Sequence, residues 1–215
     1  MKAIIFDMDG VIIDSEPLHF KIEKELIREL GVEITDEEHN SFVGTTEYHM
    51  FSIIKEKYQI EFPIEEMIEK KKEMFIENLD QVPLVENFKD FLLTMHKAGY
   101  PMALASSNNK RVIGAVAENF DLKDYIKVFV SADDVKRGKP DPEIFLTAAE
   151  KLGIPPASCL VIEDARNGVK AAKAAGMRCI GLQNLNSGNQ DLSEADLVIG
   201  NFNELNLDII KGLFK

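Results

Sequence analysis

The chain has 215 residues, of which 45% are hydrophobic and 29% are charged, and its formal net charge is -12 at pH 7. This balance argues against disorder, and the negative charge makes nucleic acid and anionic membranes poor partners for the surface. Asp7 and Asp9 interrupt the first apolar segment, so we expect no signal peptide, and no apolar stretch is long enough to predict a membrane-spanning segment. Cys159 and Cys179 fit no metal or redox spacing, which predicts reduced core cysteines in a cytoplasmic protein.

The first structural element is an uninterrupted apolar run at residues 3–6, which ends in Asp7, Met8, Asp9 and Gly10. A short run that is rich in isoleucine and closed by a turn signal predicts a strand buried on both faces, as in parallel sheets. Open parallel sheets bind ligands beyond the carboxyl ends of their strands, so Asp7 and Asp9 are candidate functional residues. Asp and Gly are also ordinary turn residues, and this stretch alone favours function only modestly.

The next segment, residues 15–81, has the apolar spacing of helices and no convincing strand. Residues 14–17 have the sequence pattern of a helix start and predict the first helix of this segment. Thr35 with Glu38 predicts a capping box at the start of the second helix. We predict further helices at 47–58 and 64–78. Lys70, Lys71 and Lys72 most simply form a solvated helix face, and we expect Phe20, Phe42 and Phe51 to belong to the core of this segment.

After Pro83 strands alternate with helices. The predicted strands cover 101–105, 127–130, 159–162, 179–182 and 197–199, and the predicted helices include 86–97, 110–119 and 203–213. This alternation predicts an α/β protein with a doubly wound, Rossmann-like parallel sheet. We assign 1–14 and 82–215 to this core domain and 15–81 to an inserted α-helical cap domain over the carboxyl edge of the sheet.

Polar side chains follow the other buried strands. Ser106, Ser107 and Asn108 come after the strand that ends at 105, Glu163 and Asp164 come after the strand that ends at 162, and Lys139 precedes a helix. Each feature has a structural alternative, since the serines or the acidic pair could cap helices and the lysine could be solvated. Their coincidence at one edge of one sheet favours an anion site that is assisted by a cation.

The residue types suit phosphoryl transfer. Clustered carboxylates are ligands for Mg²⁺, and a carboxylate can attack phosphorus to give an aspartyl-phosphate. A second carboxylate can protonate the leaving oxygen and later activate water. A serine hydroxyl and a lysine ammonium can hold the equatorial oxygens of the transferring group. We therefore expect Mg²⁺ as the cofactor and a small phosphorylated metabolite as the partner. We also expect the protein to be a monomer.

The chain resembles, over its whole length, the haloacid dehalogenase superfamily of phosphohydrolases, in the β-phosphoglucomutase-like branch whose helical cap follows the first motif. The motifs that carry the resemblance are at residues 7–17, 104–106, 138–142 and 162–165.

The resemblance implies that Asp7 is the nucleophile and Asp9 the acid/base. It implies Ser106 and Lys139 as ligands of the phosphoryl group. It places Mg²⁺ on Asp7, the backbone carbonyl of Asp9, and Asp164, with Glu163 close by. Further candidates for substrate contact are Ser107, Asn108, His19, Thr45 and Thr46.

Phosphatase and phosphohexose mutase remain alternatives within this branch. The mutase-like pattern has an Arg about three residues after the glycine that corresponds to Gly44, to hold a distal phosphate, whereas this chain has Glu47. We therefore favour a phosphatase that acts on a small metabolite such as a sugar phosphate. A dehalogenase is disfavoured by Asp9, a signalling receiver domain by the acidic pair on the first strand, and an inactive scaffold by the complete set of motifs.

Overall fold

The computed structural model describes residues 1–42 and 45–214. Backbone contacts divide the chain into two compact units. The sheet unit comprises Met1–Asp14 and Pro83–Lys215, and the helical unit comprises Ser15–Val82. Within the described residues, no helix is both long enough and apolar enough to cross a lipid bilayer.

The sheet unit contains a parallel sheet of six strands in the order β3-β2-β1-β4-β5-β6. The strands are β1 Ala3–Phe6, β2 Met102–Ala105, β3 Val128–Val130, β4 Cys159–Glu163, β5 Arg178–Leu182 and β6 Leu197–Ile199. The parallel order, with flanking helices, confirms the predicted fold class.

The helices of the helical unit are α1 Glu16–Glu29, α2 Asp36–Asn40, α3 Glu47–Tyr58 and α4 Ile64–Glu77. Those of the sheet unit are α5 Phe88–Lys97, α6 Lys110–Asn119, α7 Glu143–Leu152, α8 Arg166–Ala174 and α9 Leu207–Gly212.

Strand β1 is one of the two central strands of the sheet, and its four residues are fully buried. Ala3 and Ile5 belong to a core cluster that includes side chains of α7 and α8. Phe6 contacts Phe88 of α5 edge to face, with the ring centroids 5.4 Å apart. Burial on both sides explains why this strand is a continuous apolar run and not an alternating one.

The register of the sheet sets the level at which the strands end. Phe6 pairs with Leu104 on one side and with Ile162 on the other. The residues that follow Phe6 and Ile162, which are Asp7 and Glu163, therefore emerge together at one edge.

The predicted final helix at 203–213 is wrong in its first part. A short 3₁₀ helix covers Phe202–Glu204, and α9 begins only at Leu207. Two asparagine side chains, each of which caps the start of a separate helix, explain this difference. The side chain of Asn201 accepts a hydrogen bond from the backbone N–H of Asn203, and that of Asn206 accepts from the N–H groups of Asp208 and Ile209.

The capping box predicted at Thr35 has two hydrogen bonds, of which the structure shows the one to the Thr35 side chain. The Thr35 hydroxyl accepts from the backbone N–H of Glu38 at 3.1 Å. The Glu38 carboxylate instead accepts hydrogen bonds from Lys57 and Tyr58, at 2.7 and 2.8 Å. This residue therefore joins α2 to the end of α3.

The helical unit has its own apolar core, which contains Leu26, Phe51, Ile54 and Met67. Phe51 is fully buried, as predicted, and Phe42 packs partly buried against the same cluster.

The prediction of a solvated face at Lys70–Lys72 is wrong for Lys71, whose side chain is only 5% exposed. Lys71 lies four residues from both Met67 and Phe75, which are buried, and therefore shares their face of α4. Its ammonium forms ion pairs with Glu23 and with Glu47, the latter at 2.6 Å.

Glu23 is the centre of this buried charge network. The His39 ring nitrogen Nε2 lies 2.6 Å from its carboxylate, in addition to the contact with Lys71. Burial alone would raise the pKa of Glu23, but the hydrogen bond with His39 and the charge of Lys71 outweigh it and lower this pKa to about 2. The carboxylate is therefore stabilised in its ionised form.

We predict that Lys71→Met destabilises the protein by about 3 kcal/mol, because it leaves the buried Glu23 carboxylate without its lysine partner. The free energy of unfolding from urea denaturation, followed by circular dichroism, measures this loss. Lys72→Met on the same helix is the matched control and should change stability by less than about 0.5 kcal/mol. Equal effects of the two substitutions would contradict the structural role of Lys71.

Candidate active site

Lys139 joins two strands at the carboxyl edge of the sheet. Its ammonium lies 2.5 Å from Asp7 Oδ1, after β1, and 2.8 Å from Glu163 Oε1, at the end of β4. The three side chains are 8%, 10% and 1% exposed, so these are buried ion pairs. The structure thus brings together two acidic residues and the lysine that the sequence placed at this edge.

The loop before α7 holds Lys139 in place. The backbone N–H groups of Lys136 and Arg137 donate to the carboxylate of Glu143, at 3.0 and 3.1 Å. The Lys139 ammonium also lies 5.0 Å from the centre of the ring of Phe145, a buried residue of α7. The first turns of α7 therefore support the loop and the lysine.

Asp7, Glu163 and Asp164 form a buried acidic cluster in which one oxygen from each carboxylate lies within 4.8 Å of the others. An oxygen-only donor set of this kind fits Mg²⁺, which prefers carboxylate and water ligands. When ionised, three carboxylates beside one lysine carry excess negative charge inside the protein, which either a bound cation or protonation of a carboxylate can offset. The residues present therefore fit a divalent cation.

Two carboxyl groups of the cluster are destabilised in their ionised form. Burial raises the pKa of Asp7 to about 7; Lys139 opposes this shift, and repulsion from Glu163 and Asp9 adds to it. Burial also raises the pKa of Asp164 well above its ordinary value, and repulsion from Glu163 and Asp7 contributes. For Lys139, attraction by Asp7 and Glu163 outweighs burial and raises the pKa above its ordinary value. The ammonium is therefore charged.

Glu163 is held through both of its oxygens. Oε1 accepts from Lys139, and Oε2 accepts from the backbone N–H of Ala165 at 2.7 Å. Gly168 of α8 makes room for this carboxylate, because a Cβ there would lie 1.6 Å from Oε1. Gly168 was not among the residues predicted from the sequence. A glycine inside a predicted helix, which indicates a close contact with a neighbouring group, could have identified it.

Asp9 lies outside the acidic cluster and contacts Asn108. The Asn108 amide donates to Asp9 Oδ2 at 2.6 Å, and it lies 3.3 Å from the hydroxyl oxygen of Ser106. Ser106 is buried, whereas Ser107 is exposed. The side-chain amide of Asn108 thus links Asp9 to Ser106.

The helix-cap interpretation of the two motifs is not supported. The cap of α6 is Asn109, whose side chain accepts from the backbone N–H of Val112 at 2.9 Å. The residue before α8 is Ala165, which has no side chain capable of capping. Ser106 and Asp164 are therefore available for other contacts.

The turn after Asp9 depends on Gly10, whose φ is +70°. Its backbone N–H donates to the carbonyl of Ile13 at 2.8 Å. A Cβ at Gly10 would lie 2.0 Å from Asp164 Oδ2 and 2.7 Å from the hydroxyl oxygen of Ser187. Glycine is required here both by the backbone conformation and by the close approach of the Asp164 side chain.

The remaining candidates, His19, Thr45 and Thr46, belong to the helical unit. Thr45 donates to the carbonyl of Phe42 at 2.7 Å, and Thr46 accepts from the N–H of His49 at the start of α3. The His19 ring stacks on Phe75 at 4.5 Å. Gly44, from which the comparison with the mutase pattern was counted, lies outside the described residues, and substrate contact by these residues stays a prediction.

The fold and this edge define a class of α/β proteins, in which an acidic site with a buried lysine lies at the carboxyl edge of a parallel sheet. The chain belongs to the haloacid dehalogenase-like hydrolase family, whose model matches residues 4–182.

The chain is also similar to individual proteins. It is 36% identical to a phosphorylated carbohydrates phosphatase of Thermotoga maritima over 184 residues, which cover 84% of each protein. It is 31% identical to the β-phosphoglucomutase of Bacillus subtilis, covering 98% of this chain and 94% of that enzyme. The crystal structure of CbbY from Rhodobacter sphaeroides in complex with phosphate has a TM-score of 0.84 at 27% identity, covering 96% of both chains. These relatives support a phosphoryl-transfer enzyme.

We predict that Gly10→Ala lowers the free energy of unfolding by about 1–2 kcal/mol, because alanine is strained at the left-handed backbone conformation of this position. The added Cβ would also displace the Asp164 carboxylate, and we expect this displacement to abolish most of the activity. Gly114→Ala is the matched control, because a Cβ at this position in α6 meets nothing within 4 Å. The control should be neutral or stabilising by roughly 0.5–1 kcal/mol, since alanine favours a helix. Urea denaturation and a phosphate-release assay measure the two effects, and an active Gly10→Ala variant would contradict this account of the turn.

Proposed function

We propose that this protein is a Mg²⁺-dependent phosphatase that hydrolyses a small phosphorylated metabolite, with a sugar phosphate as the substrate class, through an aspartyl-phosphate. The observation that carries the proposal is the buried contact of Asp7 with Lys139 beside an acidic cluster. A relative whose substrates are phosphorylated carbohydrates supports the substrate class.

In the proposed reaction, the substrate phosphate binds between Ser106 and Lys139, whose hydroxyl and ammonium stabilise the phosphoryl oxygens. An oxygen of Asp7 attacks phosphorus, and the bond between phosphorus and the ester oxygen breaks as the new bond forms. Asp9 donates a proton to the leaving oxygen, so the dephosphorylated alcohol departs.

In the second half of the reaction, water attacks the phosphorus of the aspartyl-phosphate. Asp9, now ionised, accepts a proton from this water, and the bond between phosphorus and Asp7 breaks. Inorganic phosphate leaves, and both carboxyl groups return to their starting forms. The Asn108 amide, which contacts Asp9 at 2.6 Å, is suited to orient the acid/base in both steps.

Asp7 and Asp164 would hold Mg²⁺, with the backbone carbonyl of Asp9 as the resemblance implies. When bound, the cation neutralises charge on the phosphoryl group and favours the ionised form of Asp7. Glu163 is suited to a different task, because both of its oxygens are already engaged, and we assign it to the orientation of Lys139.

We also propose that the helical unit acts as a cap. The chain leaves the sheet unit at Asp14, five residues after Asp9, and returns at Pro83. These two residues are neighbours, because the N–H of Asp14 donates to the carbonyl of Pro83 at 2.9 Å. Two adjacent connections are a suitable hinge for a lid that limits access of water to the site.

A phosphohexose mutase is the second candidate, favoured by the full-length similarity to β-phosphoglucomutase. The contacts of Glu47 support the phosphatase, because this carboxylate pairs with Lys71 and offers no positive charge for a distal phosphate. A mutase must retain the phosphoenzyme until the sugar has turned over, whereas a phosphatase must admit water.

We predict that the purified protein releases inorganic phosphate from at least one phosphorylated sugar when Mg²⁺ is present, and that chelation of Mg²⁺ abolishes the release. A panel of sugar phosphates, nucleotides and phosphoglycolate measures this. The panel includes β-glucose 1-phosphate with a bisphosphate activator. Formation of glucose 6-phosphate without free phosphate would overturn the phosphatase in favour of the mutase, and no turnover at all would contradict both.

We predict that Asp7→Asn abolishes turnover while the fold is retained, because an amide cannot attack phosphorus as a carboxylate does. The matched control is Asp90→Asn on the exposed side of α5, which should keep the rate of the unmodified enzyme. Phosphate release and circular dichroism of the two variants measure the difference. Substantial activity of Asp7→Asn would exclude Asp7 as the nucleophile.

A further inference from the structure

The loop after β5, residues 183–190, contributes a side chain to the acidic cluster. The Ser187 hydroxyl donates to Asp164 Oδ2 at 2.5 Å. We propose that Ser187 is a positioning residue, which orients the Asp164 carboxylate for the divalent cation, and that its loop ties this carboxylate to the turn after Asp9. The inference rests on the metal site of the proposed function and adds to it a residue that no motif indicates.

The need for such a donor follows from the crowding of carboxylates. Asp164 lies beside Asp7 and Glu163, and mutual repulsion favours rotation of its carboxylate out of the cluster. The hydrogen bond from Ser187 to Oδ2 opposes this rotation and leaves the other oxygen available to a cation. Groups that orient metal ligands in this way contribute to metal affinity although they do not touch the metal.

Ser187 is itself held on two sides. Its backbone N–H lies 3.3 Å from the carbonyl of Asn184, and its carbonyl accepts from the Gln190 amide at 3.0 Å. The Gln190 side-chain oxygen in turn accepts from the backbone N–H of Arg166, the first residue of α8, at 3.2 Å. The position of the hydroxyl is therefore set by both the loop and the helix that follows Asp164.

The same loop binds the turn that carries Asp9. The Asn184 amide donates to the carbonyl of Gly10 at 3.1 Å. The Asn186 amide donates to Asp14 Oδ2 at 2.7 Å, and the N–H of Asn186 donates to the side-chain oxygen of Asn184. Asp14 is the last residue before the chain leaves the sheet unit.

Gly10 lies between these two sets of contacts. Its missing Cβ is the space into which the Asp164 oxygen and the Ser187 hydroxyl project, since a Cβ would lie 2.0 and 2.7 Å from them. The turn, the serine and the carboxylate thus form one close-packed group. Loss of the Ser187 hydroxyl should therefore alter the orientation of the Asp164 carboxylate and with it the affinity for the cation.

The test compares Ser187→Ala with Ser193→Ala in the full-length protein. Ser193 is a matched control, because its hydroxyl also donates to a carboxylate, that of Asp191 at 2.6 Å, on the exposed surface. Calorimetric titration with MgCl₂ in the absence of substrate measures the Kd for Mg²⁺. Ser187→Ala should raise this Kd about tenfold, whereas Ser193→Ala should leave it unchanged.

Two further readouts separate positioning from a general loss of structure. The rise in unfolding temperature on addition of Mg²⁺ should be smaller for Ser187→Ala than for the unmodified protein. A purely structural role would lower the unfolding temperature in EDTA but leave this rise unchanged, and that result would contradict positioning. In the phosphatase assay, the Mg²⁺ concentration for half-maximal activity should increase, and kcat at saturating Mg²⁺ should largely recover.

Unchanged Mg²⁺ affinity of Ser187→Ala would overturn the inference, and so would an unmodified protein that does not bind Mg²⁺. If the unmodified protein binds Mg²⁺ but hydrolyses no phosphate ester, the proposed function fails. The Kd of the two variants then still decides the role of Ser187.

Discussion

The contact of Lys139 with Asp7 and Glu163 is the interaction on which the site depends. The three residues are separated by up to 156 positions in the chain, and their charged groups lie within 2.8 Å of the lysine nitrogen. Burial makes each charge costly, and only excellent geometry offsets that cost. That geometry is supported by three contacts. Glu143 accepts from the loop that carries Lys139, the Phe145 ring lies beside the ammonium, and the N–H of Ala165 donates to Glu163.

The sheet provides the other constraint. Strand β1 pairs with β2 and β4 in a register that places the ends of all three strands at one level. Acidic, hydroxyl and amide groups from distant segments then meet at one edge without any local sequence relation. The apolar run of β1 is therefore as important for the chemistry as the carboxylates that follow it.

This explains which parts could be predicted from the sequence. Asp7, Glu163 and Lys139 follow from buried strands and a helix start, and the order of such elements is encoded locally. Ser187 could not be found in this way, because a serine in a loop rich in Asn and Gly has the appearance of a turn residue. Its contact with Asp164 depends on the packing of β5 beside β4, which no periodicity records.

Lys71 shows the same limit for the helical unit. Three consecutive lysines indicate a solvated face, and only the partners Glu23 and Glu47, from two other helices, make burial of the second lysine possible. The late start of α9 has a similar origin, since two asparagines compete to begin a helix within six residues. Local patterns place elements, whereas pairing between elements decides these details.

The two buried charge networks differ in a way that bears on function. In the helical unit, Glu23 has a cation and a histidine as partners, and its pKa is lowered to about 2. In the sheet unit, one lysine faces three carboxylates, and the pKa of Asp7 is raised to about 7. A network of the first kind stabilises structure, whereas buried carboxyl groups with raised pKa values beside a charged partner are typical of functional sites. The direction of the pKa shift therefore distinguishes the acidic edge of the sheet, which is the candidate site for a cation, from the equally buried cluster around Lys71.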